Sequence, residues 1–234
     1  MKLAIMQPYF FPYLGYFQLV SAVDCFVFYD DVAFIKQGWI NRNRILVNEM
    51  PIYFTVPLAK ASSNVPINKT LIHQGQYAIW KQKFLRTLEQ QYSHAPYFDN
   101  VFDLVRKVVA WDTENIASLA IQSVKLCSNY LGISRDFKIS SRDFSPAETR
   151  GVCRVLDICR MSQADVYVNA PGGKGLYDKA EFEQEKIVLT FLNPQLNAYP
   201  QNRKEFLPGL AIVDVLMNCG VDQIQSMLKQ YTLE

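Results

Sequence analysis

Histidine is nearly missing from this chain: His73 and His94 are the only two among 234 residues. A histidine-built metal site is therefore not expected, and no serine–histidine or cysteine–histidine pair can be assembled from them. Cysteine is scarce and odd in number, at positions 25, 127, 153, 159 and 219, with no zinc-ligand spacing. Cys25 stands in an apolar run, and Cys153 and Cys159 share one apolar helical segment. They read as reduced small hydrophobes of a cytoplasmic protein, so neither a metal nor a disulfide is expected. Excess charge is lacking too. With 24 basic and 22 acidic residues the net charge is +2, which gives no case for a nucleic-acid partner. No apolar run approaches the roughly 20 residues needed to span a bilayer. The start, Met1-Lys2-Leu3, shows no signal-peptide pattern. No internal repeat or low-complexity tract is present.

Half the residues are hydrophobic, enough for a large core. Leu3-Ala4-Ile5-Met6 reads as a buried strand. Gln7-Pro8-Tyr9-Phe10-Phe11-Pro12-Tyr13-Leu14-Gly15-Tyr16-Phe17 follows, an aromatic loop stiffened by two prolines. A helix starts near Gly15, and Cys25 to Tyr29 reads as a second buried strand ending in Asp30 and Asp31. Strand, loop, helix, strand is the opening of an α/β fold with a mostly parallel sheet. A loop at the carboxyl end of the first strand lies where ligands enter such sheets. Phe10, Phe11 and Phe17 suit the core equally well. Gln7 and the hydroxyls of Tyr9, Tyr13 and Tyr16 point to binding, because a buried polar group needs a partner.

The stretch from Asp30 to Arg44 concentrates chemistry. Asp30 and Asp31 are candidate catalytic acids, and Lys36, Trp39, Asn41 and Arg42 are candidate substrate-binding residues. Arginine offers a planar fork suited to phosphate or carboxylate. A solvated charge run, or an acid capping the next turn, is the plainer reading. Adjacent residues of extended chain point opposite ways, so one of the two acids should face the loop.

Farther on, residues 44–47 and 52–56 read as a hairpin, and Lys60 to Gly75 as a mobile loop over a site. Three amphipathic helices form an insertion at about 76–131. Phe137-Lys138-Ile139 is a short strand leading into Ser140-Ser141. Ser145-Pro146-Ala147-Glu148 has capping-box spacing with proline at the first helical position, a helix start. Val166 to Val168 is a strand. The loop after it, Asn169-Ala170-Pro171-Gly172-Gly173-Lys174-Gly175, could bind an anion or sugar through its backbone, or be a plain turn. It is neither a Walker loop nor a dinucleotide fingerprint. Residues 187–191 form a strand, Tyr199-Pro200-Gln201 lies in a loop, and two helices close the chain, about 210–219 and 221–228. A single α/β domain over 1–234 is expected.

The strings Gln7-Pro8-Tyr9-Phe10-Phe11-Pro12, Gly15-Tyr16-Phe17, Asp30-Asp31-Val32, Trp39-Ile40-Asn41-Arg42-Asn43 and Thr55-Val56-Pro57 resemble the WbqC-like family. Tyr92, Ala95-Pro96-Tyr97-Phe98, Ser140-Ser141, Gly172-Gly173, Tyr177-Asp178, Tyr199, Gln201, Phe206 and Asp214 extend the resemblance over nearly the whole chain. It implies bacterial surface-polysaccharide (O-antigen type) biosynthesis, with an acyl or glycyl-type aminoacyl group placed on a nucleotide-linked amino sugar. A carrier-protein thioester is one candidate donor, and no tightly bound cofactor is expected. Asn169 is a candidate binding residue from the glycine-rich loop itself, and the resemblance adds Gly172, Gly173, Tyr177, Asp178, Tyr199 and Gln201. The family often has serine before the late helix where this chain has Ala211. Two other functions stay open. The opening of the chain also resembles nucleotidylyltransferases of the adenylating kind, with tyrosines where those enzymes place histidines. A non-catalytic nucleotide-sugar binding module is the third.

Overall fold

The computed structural model describes residues 1–145, 147–201 and 203–234. The chain opens as read: β1 (Lys2–Met6), the aromatic loop, α1 (Leu14–Ala22) and β2 (Cys25–Phe28). A hairpin follows, β3 (Arg42–Val47) and β4 (Met50–Thr55). Its two turn residues, Asn48 and Glu49, have φ of 49° and 63°, the positive values that a twisted two-residue connection requires. Three helices come next, α2 (Gln74–Tyr92), α3 (Phe98–Val109) and α4 (Ile116–Tyr130). Then the α/β pattern resumes with β5 (Asp136–Ile139), the short α5 (Ser140–Asp143), α6 (Gly151–Met161), β6 (Val166–Asn169), α7 (Lys179–Gln184) and β7 (Val188–Pro194). The chain closes with α8 (Ile212–Asn218), α9 (Val221–Met227) and β8 (Tyr231–Leu233).

Six strands form the main sheet in the order β5-β2-β1-β6-β7-β8. All neighbours are parallel except β7 and β8. The fold class is thus α/β with a mostly parallel sheet. The alternation of side chains along each strand splits the core in two. Ala4, Phe26, Phe28 and Val168 face the cluster built with α1 to α4, α8 and α9. Leu3, Ile5, Val27 and Tyr167 face the smaller cluster built with α6 and α7. Central strands covered on both faces explain why their sequence is continuously apolar.

The aromatic loop is mostly core. Phe10, Phe11 and Phe17 are fully buried. Phe11 sits at φ 45°, a left-handed conformation unusual for a bulky residue. Its surroundings hold it there. The Phe11 N–H donates to Ser123 Oγ (3.0 Å), and Asn43 Nδ2 donates to the Phe11 carbonyl (2.7 Å).

Four expectations are corrected. The helix expected to begin at Ser145 begins at Gly151, and Pro146 lies outside the described residues. The Thr149 hydroxyl is bonded to the Asp157 side chain, and the helix is entered through an extended Arg150. The 60–75 segment is not a free loop. Phe34 N–H donates to Val65 O, Ile67 N–H to Val32 O and Asn68 N–H to Asp30 O, and Ile67 and Ile72 are buried. Cys153 is exposed on the outer side of α6, unlike the four buried cysteines. Finally, β8 has three residues and an exposed face, too short for any periodicity to register.

Candidate functional site

The site is built where β2 and β5 end side by side. Their register pairs Phe28 with Ile139, so Asp30-Asp31 and Ser140-Ser141 leave the sheet together. Asp30 is 4% exposed. Its Oδ1 accepts from the Ser141 N–H (2.9 Å) and its Oδ2 from the Ser141 hydroxyl (2.7 Å). Ser140 Oγ lies 3.0 Å from Asp30 Oδ1 and 2.5 Å from Asp31 Oδ1. One hydroxyl hydrogen can serve only one of these two carboxylates at a time. The same oxygen accepts the Asp30 N–H at 3.1 Å. Behind Asp31 stands Arg154 of α6, 3% exposed. Its Nη2 donates to Asp31 Oδ2 (3.0 Å) and to the Ser140 carbonyl (3.2 Å).

The two acids open onto different cavities, as alternation along extended chain requires. Asp30 forms part of a cavity of about 470 Å³ with Lys69, Trp111, Asn115, Lys125 and Arg142. Burial, with the Arg142 charge second, holds the Lys125 ammonium below its ordinary pKa. Asp31 lines a cavity of about 430 Å³ with Tyr29, Asn64, Arg150 and Arg154. Burial, and then the Asp31 charge, pushes the Tyr29 phenol well above its usual value. Both volumes lie in the range of small-molecule sites.

The remaining residues singled out in the sequence divide into three places. At the first, the strand order reverses between β1 and β6, where doubly wound sheets bind ligands. Gln7 leaves β1 there and its carbonyl accepts from the Tyr16 hydroxyl (3.0 Å). Asn169 ends β6 and its Oδ1 accepts the Ala170 N–H (2.8 Å). Gly173 packs so closely on Asn169 that a Cβ would stand 2.2 Å from Nδ2, whereas Gly172 faces open space. Tyr177 packs edge-on against Tyr167, and Asp178 caps α7 by accepting the Ala180 N–H (3.0 Å). Gln7 and Asn169 line neither acid cavity.

At the second place, Tyr9, Tyr13, Trp39 and Arg44 wall a separate cavity of about 320 Å³. Neighbouring donors are spent on the fold. Asn41 Nδ2 donates to Val56 O (2.9 Å), and Arg42 donates to the Gln37 and Gly38 carbonyls while covering the Tyr53 ring. Lys36 is exposed and lines none of these three cavities.

The third place is structural in its bonding. Tyr199 and Tyr92 donate to the two oxygens of the fully buried Asp214, each at 2.6 Å. Gln201 bridges the Leu207 backbone with both its amide nitrogen and its oxygen (2.9 Å each).

Sequence reasoning missed Arg154, Lys69, Trp111, Lys125 and Arg142, and gave Ser140-Ser141 no role. Arg154 did leave a signal: it stands with Val155, Ile158 and Cys159 on the otherwise apolar buried face of its helix. A charge in that position demands a buried partner. The lysines left none, because their meaning depends on packing of α4 and the 67–69 turn across the strand ends.

Among the described residues no helix is long and apolar enough to cross a membrane. Residues 7–226 match the WbqC-like protein family. An uncharacterized protein of Mycobacterium tuberculosis (strain ATCC 25618 / H37Rv), Rv1507c, is 30% identical over 224 residues, spanning 94% of this chain and 95% of the relative. No solved structure matches the chain.

Proposed function

The chain belongs to the WbqC-like protein family, and we propose that it is a transferase of bacterial surface-polysaccharide assembly. In this reading it moves an acyl or glycyl-type aminoacyl group onto the amine of a nucleotide-linked amino sugar. The observation that carries the reading is the Asp30 cavity, where one carboxylate faces a wall holding Lys69, Lys125 and Arg142. The cations suit a diphosphate, and the partly exposed Trp111 ring suits a base. Asp30 suits the amine. Its bonded donors are the neutral groups of Ser140 and Ser141, and no cation pairs with it among the described residues. The charge of Asp31, by contrast, is offset by Arg154.

The attacking amine forms a C–N bond to the acyl carbon as the donor's leaving group departs with its bonding electrons. The nitrogen must then lose a proton, and Asp30 Oδ2, which accepts one hydrogen bond, has a lone pair free to take it. The remaining work is positioning two substrates.

The test pairs calorimetry on UDP-glucosamine with an amide-formation assay using a glycyl thioester. Asp30→Asn keeps shape and removes charge. It should lower turnover by about 10²-fold or more, the scale of a positioned base, with the thermal transition retained. A near-wild-type rate in that variant would sink the role of Asp30. Binding without any amide formation would favour a non-catalytic nucleotide-sugar module, and pyrophosphate release from ATP a nucleotidyl-transfer or adenylating enzyme.

A further inference from the structure

The cavity walled by Tyr9, Tyr13, Trp39 and Arg44 shares no lining residue with either acid cavity. Its chemistry is also different. Trp39 is 37% exposed although its ring also stacks on Tyr53, 6.3 Å between centroids. No hydrogen bond joins the Tyr9 or Tyr13 hydroxyl to another described residue, although both phenols are raised by burial. Their two hydroxyls are close enough for one to perturb the other.

Arg44 is the telling group. Its Nε is buried with no hydrogen-bond partner among the described residues. Its Nη2 reaches only the Gly209 carbonyl, at a long 3.4 Å. The guanidinium lies 5.8 Å from the Trp39 ring centroid, and no carboxylate lines the cavity. A guanidinium held by one long hydrogen bond keeps N–H donors for an acceptor supplied from outside. The two Nη groups of a guanidinium form a fork that fits two oxygens of one carboxylate or phosphate. Aromatic faces beside free phenol hydroxyls fit a ring that is apolar on its face and hydroxylated at its rim.

We propose that this cavity is a second binding site, taking a sugar ring that carries a carboxylate or phosphate. The anion sits on the Nη end of the Arg44 guanidinium, the ring lies on Trp39, and the Tyr9 and Tyr13 hydroxyls bond its hydroxyls. At about 320 Å³ the space is that of a monosaccharide-sized ligand. The site stands on its own observations and does not depend on the role given to Asp30.

The experiment is a titration of tryptophan fluorescence with D-glucuronate, glucose 1-phosphate, D-glucose, AMP and inorganic phosphate. A Trp39→Phe control assigns the signal, since Trp80 and Trp111 also emit. Glucuronate or glucose 1-phosphate should bind at least about ten-fold more tightly than glucose, a difference of about 1.4 kcal/mol. Arg44→Gln should abolish that preference. Tyr13→Phe should weaken both sugar acids while keeping the ring, which covers the case in which the Arg44 variant fails to fold. Asp30→Asn should bind them as the wild type does. Read by the signal lost in Trp39→Phe, equal binding of glucose, tighter binding of AMP than of either sugar acid, unchanged binding in Arg44→Gln, or no saturation by any sugar acid would each overturn the proposal.

Discussion

Replacing Arg154 tests whether the acid pair is held by the fold or merely lies beside it. The Arg154 side chain is 4% exposed, whereas the Asp31 side chain keeps 16% of its surface in water. At about 4 Å between charge centres and an effective dielectric constant near 20, their attraction is about 4 kcal/mol. Most of that is offset by the desolvation of both ions, so the intact pair adds little net stability. Removing one partner is different. A stranded, fully buried ion costs about 3–5 kcal/mol. Asp31 is partly solvated and keeps its Ser140 contact, so Arg154→Met should cost less, about 3 kcal/mol. Asp31→Asn should cost about as much, because it strands a guanidinium whose Nε already lacks a partner among the described residues. The double variant removes both charges. It should lose no more than about 3 kcal/mol in total rather than 6, a coupling of about 3 kcal/mol or more. Urea unfolding of the four proteins gives these values directly. Additivity to within about 0.5 kcal/mol would refute the argument, since contacting charges cannot be independent.

Two further expectations concern the helical side. Burial raises the Asp214 carboxyl above its ordinary 3.8, with partial opposition from the Tyr199 and Tyr92 hydrogen bonds. The unfolded chain therefore releases this proton at the ordinary value and the folded chain only at higher pH. Between the two the folded state holds more protons, so stability falls as pH rises through that window. Asp214→Asn should flatten that slope in a series of melting curves; an unchanged slope would mean that another group titrates there. Ala211 is the N-cap of α8 and supplies no side-chain acceptor. Ala211→Ser should stabilise by about 0.5–1 kcal/mol, provided that its hydroxyl reaches the first turn. A lowered denaturation midpoint would show that the fully buried position cannot accept the hydroxyl.

Most of the sheet was legible because its central strands are apolar on both faces and short, a pattern only a covered parallel strand explains. The start of α6 was not. Ser145 to Glu148 carries every local sign of a helix start, yet Thr149 is bonded to the Asp157 side chain and Arg150 is extended where the helix begins. Local propensity lost to tertiary contact. At the site, Asp30 and Asp31 stood out as acids ending an apolar strand. Their partners did not, because Ser140 and Ser141 lie 109 to 111 residues away in these contacts and matter only once β2 and β5 pair. The opposite difficulty affected Asn41 and Arg42. A dense run of donors reads as a binding surface in sequence, but these two spend their hydrogen bonds on the Val56, Gln37 and Gly38 carbonyls.

One strand end thus serves both faces of the sheet. Both acids reach the Ser140 hydroxyl, yet Asp30 borders the side built from α4 and the 67–69 turn, and Asp31 borders the side built from α6. Among the described residues only α6 brings a buried arginine to bond with an acid of the pair, and it reaches the second. Lys69 and Lys125 share a cavity with the first acid, and neither makes an ion pair with it among the described residues. The pair is therefore asymmetric by construction: Asp31 is tied to the fold through Arg154, and Asp30 has no cation partner among the described residues. Substitution at Asp31 should register first in stability and at Asp30 first in turnover. Measuring both quantities on both variants separates the two roles, and a reversal of that order would show the assignment to be the wrong way round.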